Sequence, residues 1–291
     1  MRRLAIAIIK ERNVDSDVLI QWMAVLRRGF PPGPDPFTVP PGYIVNARNG
    51  VTELALRNRD WDDLLWVDSD MLFAPDFGVR IAELTASRYW QSPTGGVIVG
   101  CYYDRRPPFE IQLFTTHGDP DTEGIFFLQA DVWIPLLAEA EQRYLRKQPA
   151  DLIPVAGGGT GIMLIRRDVL ERLAAKKGTP RIWEARTPSE AMRQKFDREG
   201  KPITMWTEDI NFCLEVARLL GVQIMGDTDL RFSAGHVGND RVGHEHYKAA
   251  HLVFHDGKME LPKGYELKPV APGATPARDG SPEMAPPAPT R

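Results

Sequence analysis

The chain holds only two cysteines in 291 residues. Cys101 and Cys213 lie far apart in the sequence, each in apolar surroundings. A disulfide framework needs more cysteines and a metal knot needs them closer together. Both therefore read as reduced core residues of a cytoplasmic protein. An excess of either charge is also missing. Lysine and arginine number 36 against 39 acids, a net charge of −3, and the two signs are interspersed. Nothing in this balance advertises a nucleic-acid or membrane partner. No apolar run approaches the roughly 20 residues of a membrane span. The apolar part of the N-terminus, Leu4 to Ile9, is too short for a secretory leader, and Lys10-Glu11-Arg12 follows with no small-residue cleavage site. The expectation is a soluble cytoplasmic protein.

What the chain does have is apolar segments of strand length. At 291 residues it can form one large α/β domain or two small ones, with a substantial core. The informative stretch is Leu64-Leu65-Trp66-Val67-Asp68-Ser69-Asp70-Met71-Leu72-Phe73. A continuous apolar run reads as a strand buried on both faces in a parallel sheet. Ligands of open α/β sheets bind at the carboxyl ends of strands, where Asp68 and Asp70 emerge. Two like charges so close are costly unless a cation or hydrogen bonds offset them, and a divalent metal carrying a phosphate group meets that need. The alternative is a plain turn whose side chains cap backbone amides.

Leu4 to Ile9 is a first buried strand, followed by a polar loop over residues 10–17. Asp15 or Ser16 can cap a helix through Arg28. Phe30 to Gly42 carries six prolines, which predicts a surface loop. Asn46 to Asn49 opens an amphipathic helix with Val51, Leu54, Ala55 and Leu56 inward. Arg48, near its start, is either a solvated arginine or a phosphate clamp. Pro75-Asp76 starts a helix carrying Val79, Ile81, Ala82 and Leu84. Gly95 to Cys101 is another buried strand, running into the aromatic and basic loop Tyr102 to Pro108. Ile111 to Thr115 reads as an edge strand and residues 132–147 as a helix whose start Pro135 delays.

Gly157-Gly158-Gly159-Thr160-Gly161 enters the apolar strand Ile162 to Ile165. Such glycines let backbone approach a ligand closely, or simply make a flexible strand entry. A phosphate loop of the P-loop type is excluded, because the Gly-Lys-Ser/Thr ending is absent and a strand follows rather than a helix. Asp168 and Glu171 spell a capping box, with Gly178 as the stop. The charged stretch Arg181 to Pro202 predicts a loop or small insertion over a site. Thr207-Glu208-Asp209 opens a helix with Ile210, Cys213, Leu214, Ala217 and Leu220 buried and Gly221 at its end. The two acids there either favour the helix start through its dipole or serve chemistry. Residues 222–225 and 230–234 are short strands, the second leading to Gly235-His236-Val237-Gly238. His236 between glycines at a strand end is a ligand candidate, whereas His244 and His246 read as solvated helix residues. From Pro269 the Pro-, Ala- and Gly-rich composition predicts disorder.

An apolar strand ending Asp68-Ser69-Asp70, the glycine run 157–161 before Met163-Leu164-Ile165, the acidic pair Glu208-Asp209 opening a late helix, and His236 fall in one order. Together they resemble the GT-A glycosyltransferases, specifically soluble family-2-like members of phage or bacterial type. The resemblance spans Leu4 to Val237. It implies a Rossmann-like, mixed but mostly parallel α/β sheet flanked by helices, as a single domain over 1–256 with a C-terminal extension over 257–291. It further implies that Asp70 binds Mn²⁺ or Mg²⁺ bridging the diphosphate of a nucleotide-sugar, with Asp68 on the ribose or the metal's water and His236 completing the metal shell. Asp209, with Glu208 beside it, faces the acceptor. Gly158, Gly159 and Thr160 line the donor sugar, and Arg48 contacts the donor. An oxygen-rich site with one imidazole tilts the metal choice towards manganese.

The chain departs from the family in the first loop, where Ile9-Lys10-Glu11-Arg12 replaces the usual Pro-Thr-Tyr-like sequence. The Gln-x-x-Arg-Trp motif of processive synthases is absent, which with the lack of spans argues against such a synthase. Two other functions are weighed. A nucleotidyltransferase shares the sheet and an acid–metal site but has a Gly-rich basic loop after the first strand, and residues 10–15 contain no glycine. A non-catalytic sugar- or nucleic-acid-binding module would use Tyr102 to Arg106 and Arg181 to Arg198 on a glycan or modified DNA, but has no need of both acidic motifs. The acceptor is a glycan, a small molecule or modified DNA.

Overall fold

A computed structural model describes residues 2–9, 37–39, 43–69, 71–104, 111–116, 118, 124–186 and 207–236. The loop and helix expected over 10–28, Asp70, residues 187–202, His244, His246 and the C-terminal tail lie outside them.

The unbroken apolar segments build the central sheet. In chain order the strands are Leu4–Ile9 (β1), Phe37–Val39 (β2), Asp63–Asp68 (β3), Met71–Phe73 (β4), Val97–Gly100 (β5), Leu113–Thr115 (β6), Phe126–Phe127 (β7), Leu152–Pro154 (β8), Gly157–Gly158 (β9), Ile162–Arg166 (β10), Met225–Asp227 (β11) and Ala234–His236 (β12). Seven of them form one sheet in the order β2-β1-β3-β10-β5-β11-β8. Strand β10 is antiparallel to β3 and β5, and β8 is antiparallel to β11, while the other pairs are parallel. Five strands (β1, β2, β3, β5, β11) thus run one way and two the other. The sheet is mixed and mostly parallel, as expected.

The helices are Ile44–Arg57 (α1), Phe77–Ala86 (α2), Arg88–Gln91 (α3), Ala130–Leu145 (α4), Arg167–Lys177 (α5) and Glu208–Leu220 (α6). Alternate strand residues point to opposite faces, and here both faces are covered. Leu64, Trp66, Val97, Val99, Met163 and Ile165 pack under α1, α4, α5 and α6. Leu65, Val67, Ile98, Ile162 and Leu164 pack on the other face against Phe77, Ile81 and Leu84 of α2, Trp90 of α3, and Phe232. Cys101 and Cys213 are buried free thiols, as the sequence suggests. Among the described residues no helix is long and apolar enough to cross a membrane.

Several local expectations are corrected. Within the proline-rich 30–42 stretch, Phe37–Val39 pairs with β1 as an edge strand, the one sheet position where flanking prolines cost no ladder hydrogen bonds. In α1, Val51 and Ala55 are buried but Leu54 is 44% exposed, and in α2 Val79 is 43% exposed. Helix α4 begins at Ala130 and carries Pro135 inside it, because the buried Trp133, Ile134 and Leu137 hold the first turns down. The capping box at α5 does not form. Asp168 lies inside the first turn paired with Arg166, and Glu171 accepts from Arg167 Nε at 2.7 Å. The strand expected at 222–225 starts only at Met225. Leu230–Phe232 is a 3₁₀ turn rather than a strand, its entry capped by Asp229 accepting from the Arg231 N–H at 3.0 Å. Gly178 and Gly221 end their helices with φ of +69° and +65°, a backbone conformation only glycine adopts freely.

One buried ionic cluster pins the end of β11. Arg80 on α2 donates to both oxygens of Asp227 at 2.8 Å, and Asp229 accepts from Ala150 N–H at 3.1 Å and from Arg231 Nη2 at 2.8 Å. Burial alone raises the Asp229 carboxyl, but the Arg231 side chain, these N–H groups and the nearby Arg80 charge outweigh it and hold it below the ordinary aspartate range. A carboxylate whose folded pKa is depressed stabilises the fold at neutral pH and loses that contribution as pH falls through its titration. Arg231→Gln should therefore lower the urea midpoint at neutral pH, and its deficit against the unmodified chain should shrink towards about pH 3. A deficit independent of pH would remove Asp229 from this role.

Candidate active site

Three strands deliver residues to one edge of the sheet. β3 ends at Asp68, β5 ends at Gly100 and leads to Tyr102, and the antiparallel β10 begins just after Gly161. The Asp68 N–H donates to the Gly161 carbonyl at 3.3 Å, and the Gly161 N–H donates to Tyr102 Oη at 3.2 Å. The glycines of this turn are there for space rather than torsion, since neither Gly159 nor Gly161 has a positive φ. A Cβ on Gly159 would collide with the Tyr102 hydroxyl. One on Gly161 would meet the Tyr102 ring and Met71, and one on Gly158 would meet Val99 at 2.8 Å. The space beside these glycines is thus filled by the protein itself, with Tyr102 as the main occupant. That accounts for the run on packing grounds.

Helix α6 brings the acidic pair to the same turn. Thr207 is its N-cap in extended conformation, but its hydroxyl bonds Asp209 Oδ1 instead of capping an amide. Asp209 Oδ1 also accepts from the Ile210 N–H at 2.9 Å, and Oδ2 accepts from the Thr160 N–H at 3.3 Å. Arg48, on the second turn of α1, pairs with Glu208 and lies 3.8 Å from Asp209 Oδ2. Arg48 and Glu208 are both buried. Burial pushes the Glu208 carboxyl up and the Arg48 guanidinium pulls it down, while the negative charges of Asp209 and Asp68 add to the rise. Tyr102 is held well above the ordinary phenol range by burial, with the Asp68 and Asp209 charges adding to it.

Trp183 joins these elements. The Asn49 side chain donates to the Trp183 carbonyl at 2.9 Å and accepts from its N–H at 3.0 Å, and the indole N–H donates to Thr52 at 2.8 Å. The ring stacks on Phe212 of α6 at 4.3 Å, meets Trp66 of β3 edge-on at 5.5 Å, and lies 5.7 Å from the Arg48 guanidinium. The start of α6 is thereby tied to α1 and the sheet. Trp183 and Tyr102 figure in the sequence only within segments that could contact an acceptor polymer, not as supports of the acidic site. Tyr102 carries one usable signal, its place two residues beyond a buried strand on the edge where Asp68 emerges.

Asp68, Glu208, Asp209, Arg48, Gly159 and Thr160 are therefore brought together, while Gly158 sits behind them against the core. Asp70 and the side chain of His236 lie outside the described residues. The backbone register does pair His236 of β12 with Met71 of β4, the residue that follows Asp70 in the chain. Among the described residues no three His, Cys, Asp or Glu side chains are placed to hold a metal. The charge balance nonetheless fits a cation. The negative charges of Asp68 and Asp209 both act on the buried Glu208, which Arg48 pairs with. Three buried polar atoms here have no hydrogen-bond partner: Arg48 Nε, Trp66 Nε1 and Thr160 Oγ1.

No family model matches the chain, and no curated protein matches it. Solved structures do. The chain covers 86% of protein A197 from STIV with 81% of its own length, at a TM-score of 0.44 and 15% identity. It aligns over 94% of itself with 46% of GalNAc-T7 bound to UDP, GalNAc and Mn²⁺, at 0.46 and 11%. Glucosyl-3-phosphoglycerate synthase from Mycobacterium tuberculosis, with Mn²⁺, UDP-glucose and phosphoglyceric acid, matches at 0.37 and 12%, with 82% of this chain on 73% of that one. At such scores the likeness assigns no activity to this chain.

Removing one partner of a buried ion pair strands the other charge. Arg48→Met should destabilise the fold by about 3–5 kcal/mol, and the double variant Arg48→Met/Glu208→Leu should recover most of it. Without Arg48 the folded Glu208 carboxyl rises further. A carboxyl raised in the folded state adds stability that is lost as pH rises, so the single variant's penalty should be larger at about pH 8 than at about pH 5. Urea titrations at both values check this, and equal penalties would contradict it.

Proposed function

We propose that this protein is a metal-dependent glycosyltransferase that moves a sugar from a nucleotide-diphosphate sugar to an acceptor hydroxyl. The observation that supports this best is the meeting of Asp68 from the end of β3 with Asp209 from the start of α6 around the 159–161 turn. Sheet edges of this kind, at the carboxyl ends of parallel strands, are where α/β folds bind ligands. The adjacency of His236 to Met71 in the β4–β12 pair brings the third part of the ligand set into the same neighbourhood of the chain.

In this reading Asp68, Asp70 and His236 hold Mn²⁺ or Mg²⁺. Bound there, the ion supplies Lewis-acid stabilisation of the charge developing on the departing nucleoside diphosphate. Asp209 Oδ2, fixed by the Thr160 N–H and the neighbouring arginine, takes the proton of the acceptor hydroxyl as that oxygen attacks the sugar carbon. Glu208 is committed to Arg48, so it orients the arginine and leaves Asp209 as the base. Arg48 Nε and Thr160 Oγ1, both without partners, offer the donor hydrogen bonds from beneath the site.

Asp70→Ala and His236→Ala should each abolish metal-dependent release of nucleoside diphosphate from a nucleotide-sugar. Full activity in both would remove the metal assignment. Asp209→Asn should lower the transfer rate by about 10²–10⁴-fold with donor affinity unchanged. Steady-state kinetics on the purified chain measure both quantities.

A further inference from the structure

Tyr102 lies outside the donor, metal and base set, yet Gly159 and Gly161 pack against it and the charges of Asp68, Asp209 and Arg48 act on it. Its ring fills the space that side chains at Gly159 and Gly161 would take, and its hydroxyl oxygen accepts the Gly161 N–H at 3.2 Å. The residue between those glycines, Thr160, gives its own N–H to Asp209 Oδ2 at 3.3 Å. Behind the ring stands Met71, paired with the strand that ends on His236. The phenol is buried, so no water replaces it as the turn's support.

We propose that Tyr102 is a positioning residue: its hydroxyl sets the 159–161 turn, and the turn's Thr160 N–H aims the Asp209 carboxylate. The physical reason is the geometry of the hydrogen bonds. A three-residue turn with two glycines has no side-chain bulk of its own to fix its path. Its path is fixed instead by the Tyr102 ring on one side and by backbone hydrogen bonds, with Gly159 N–H on the Gln112 carbonyl, Thr160 N–H on Asp209, and Gly161 held by Tyr102 through its N–H and by the Asp68 N–H through its carbonyl. Deleting the hydroxyl removes the one side-chain bond that orients the Gly161 peptide and loosens the Thr160 N–H next to it. Asp209 keeps its contacts through Oδ1 to Thr207 and Ile210, so what changes is the direction of Oδ2. Misplacement of a reacting group by as little as about 1 Å is enough to cost on the order of 10²-fold in rate.

The proposal rests on the glycosyltransferase reading for its consequence in turnover, but not for its geometry, and two readouts on the full chain separate them. In the first, amide hydrogen exchange is followed by NMR on the unmodified chain, on Tyr102→Phe, which keeps the ring, and on Asp209→Ala, which marks complete loss of the Thr160 bond. Tyr102→Phe should speed exchange at Thr160 by about 10-fold or more while the Ile162 to Arg166 amides of β10 keep their rates. An unchanged Thr160 amide, or equal acceleration throughout β10, would overturn the proposal, since the first means no coupling and the second means mere loss of packing. In the second readout, nucleoside diphosphate release from a panel of UDP- and GDP-sugars with Mn²⁺ should show kcat lowered at least about 10-fold in Tyr102→Phe with KM for the donor unchanged. Raised KM with kcat intact would contradict the positioning role. Faster Thr160 exchange in a chain that turns over no donor at all would support the geometry and remove the glycosyltransferase reading instead.

Discussion

Like charges held close together in a poorly hydrated place repel, and the edge of this sheet gathers three of them. Asp68 comes from β3 and Glu208 and Asp209 from α6, and Arg48 of α1 pairs with Glu208 and lies near Asp209. Burial raises the Glu208 carboxyl and the Asp209 and Asp68 charges add to the rise, against the pull of Arg48. The architecture around it is what makes the cluster persist. β3 and β10 are locked by a five-residue antiparallel register, α1 holds Arg48, and Trp183 ties α1, α6 and the sheet into one unit.

Two of the chain's Asp-x-Asp sequences begin on the last residue of a strand of the same sheet direction, Asp68-Ser69-Asp70 on β3 and Asp227-Thr228-Asp229 on β11. In the second, Arg80 takes both oxygens of Asp227, the Asp229 N–H donates to Asp227 Oδ1, and Asp229 accepts from Arg231 and from the Ala150 and Arg231 N–H groups. That pair braces β11 against α2. Asp68 gives its N–H to the Gly161 carbonyl and acts electrostatically on Tyr102 and Glu208.

Much of the sheet was legible because its strands are buried on both faces and so read as unbroken apolar runs, as in β1, β3, β5 and β10. The starts of α2 and α6 and the glycine stops of α5 and α6 followed from local chemistry. The failures have equally local causes. β2 is hidden by prolines that an edge strand tolerates, and Leu230–Phe232 has strand composition but is turned by the Asp229 side chain. At the site, Asp68, Arg48, Glu208 and Asp209 were all nominated, and the structure groups them. The purpose of the glycines was not legible, because it depends on Tyr102, 57 to 59 residues away in the chain. The Arg48–Glu208 pair spans 160 residues and leaves no trace in spacing.

The account turns on whether this acidic edge takes a cation and a nucleotide-sugar together. A ligand that binds only the folded chain raises its melting temperature, the stabilisation growing as RT ln(1 + L/Kd) with L the free ligand concentration. The decisive measurement is thermal unfolding of the full chain against a panel of nucleotide-sugars, each with and without Mn²⁺. The account predicts at least one nucleotide-sugar that raises the melting temperature when Mn²⁺ is present and leaves it unmoved when Mn²⁺ is absent. No shift with any of them, or a shift of the same size without the metal, would contradict it.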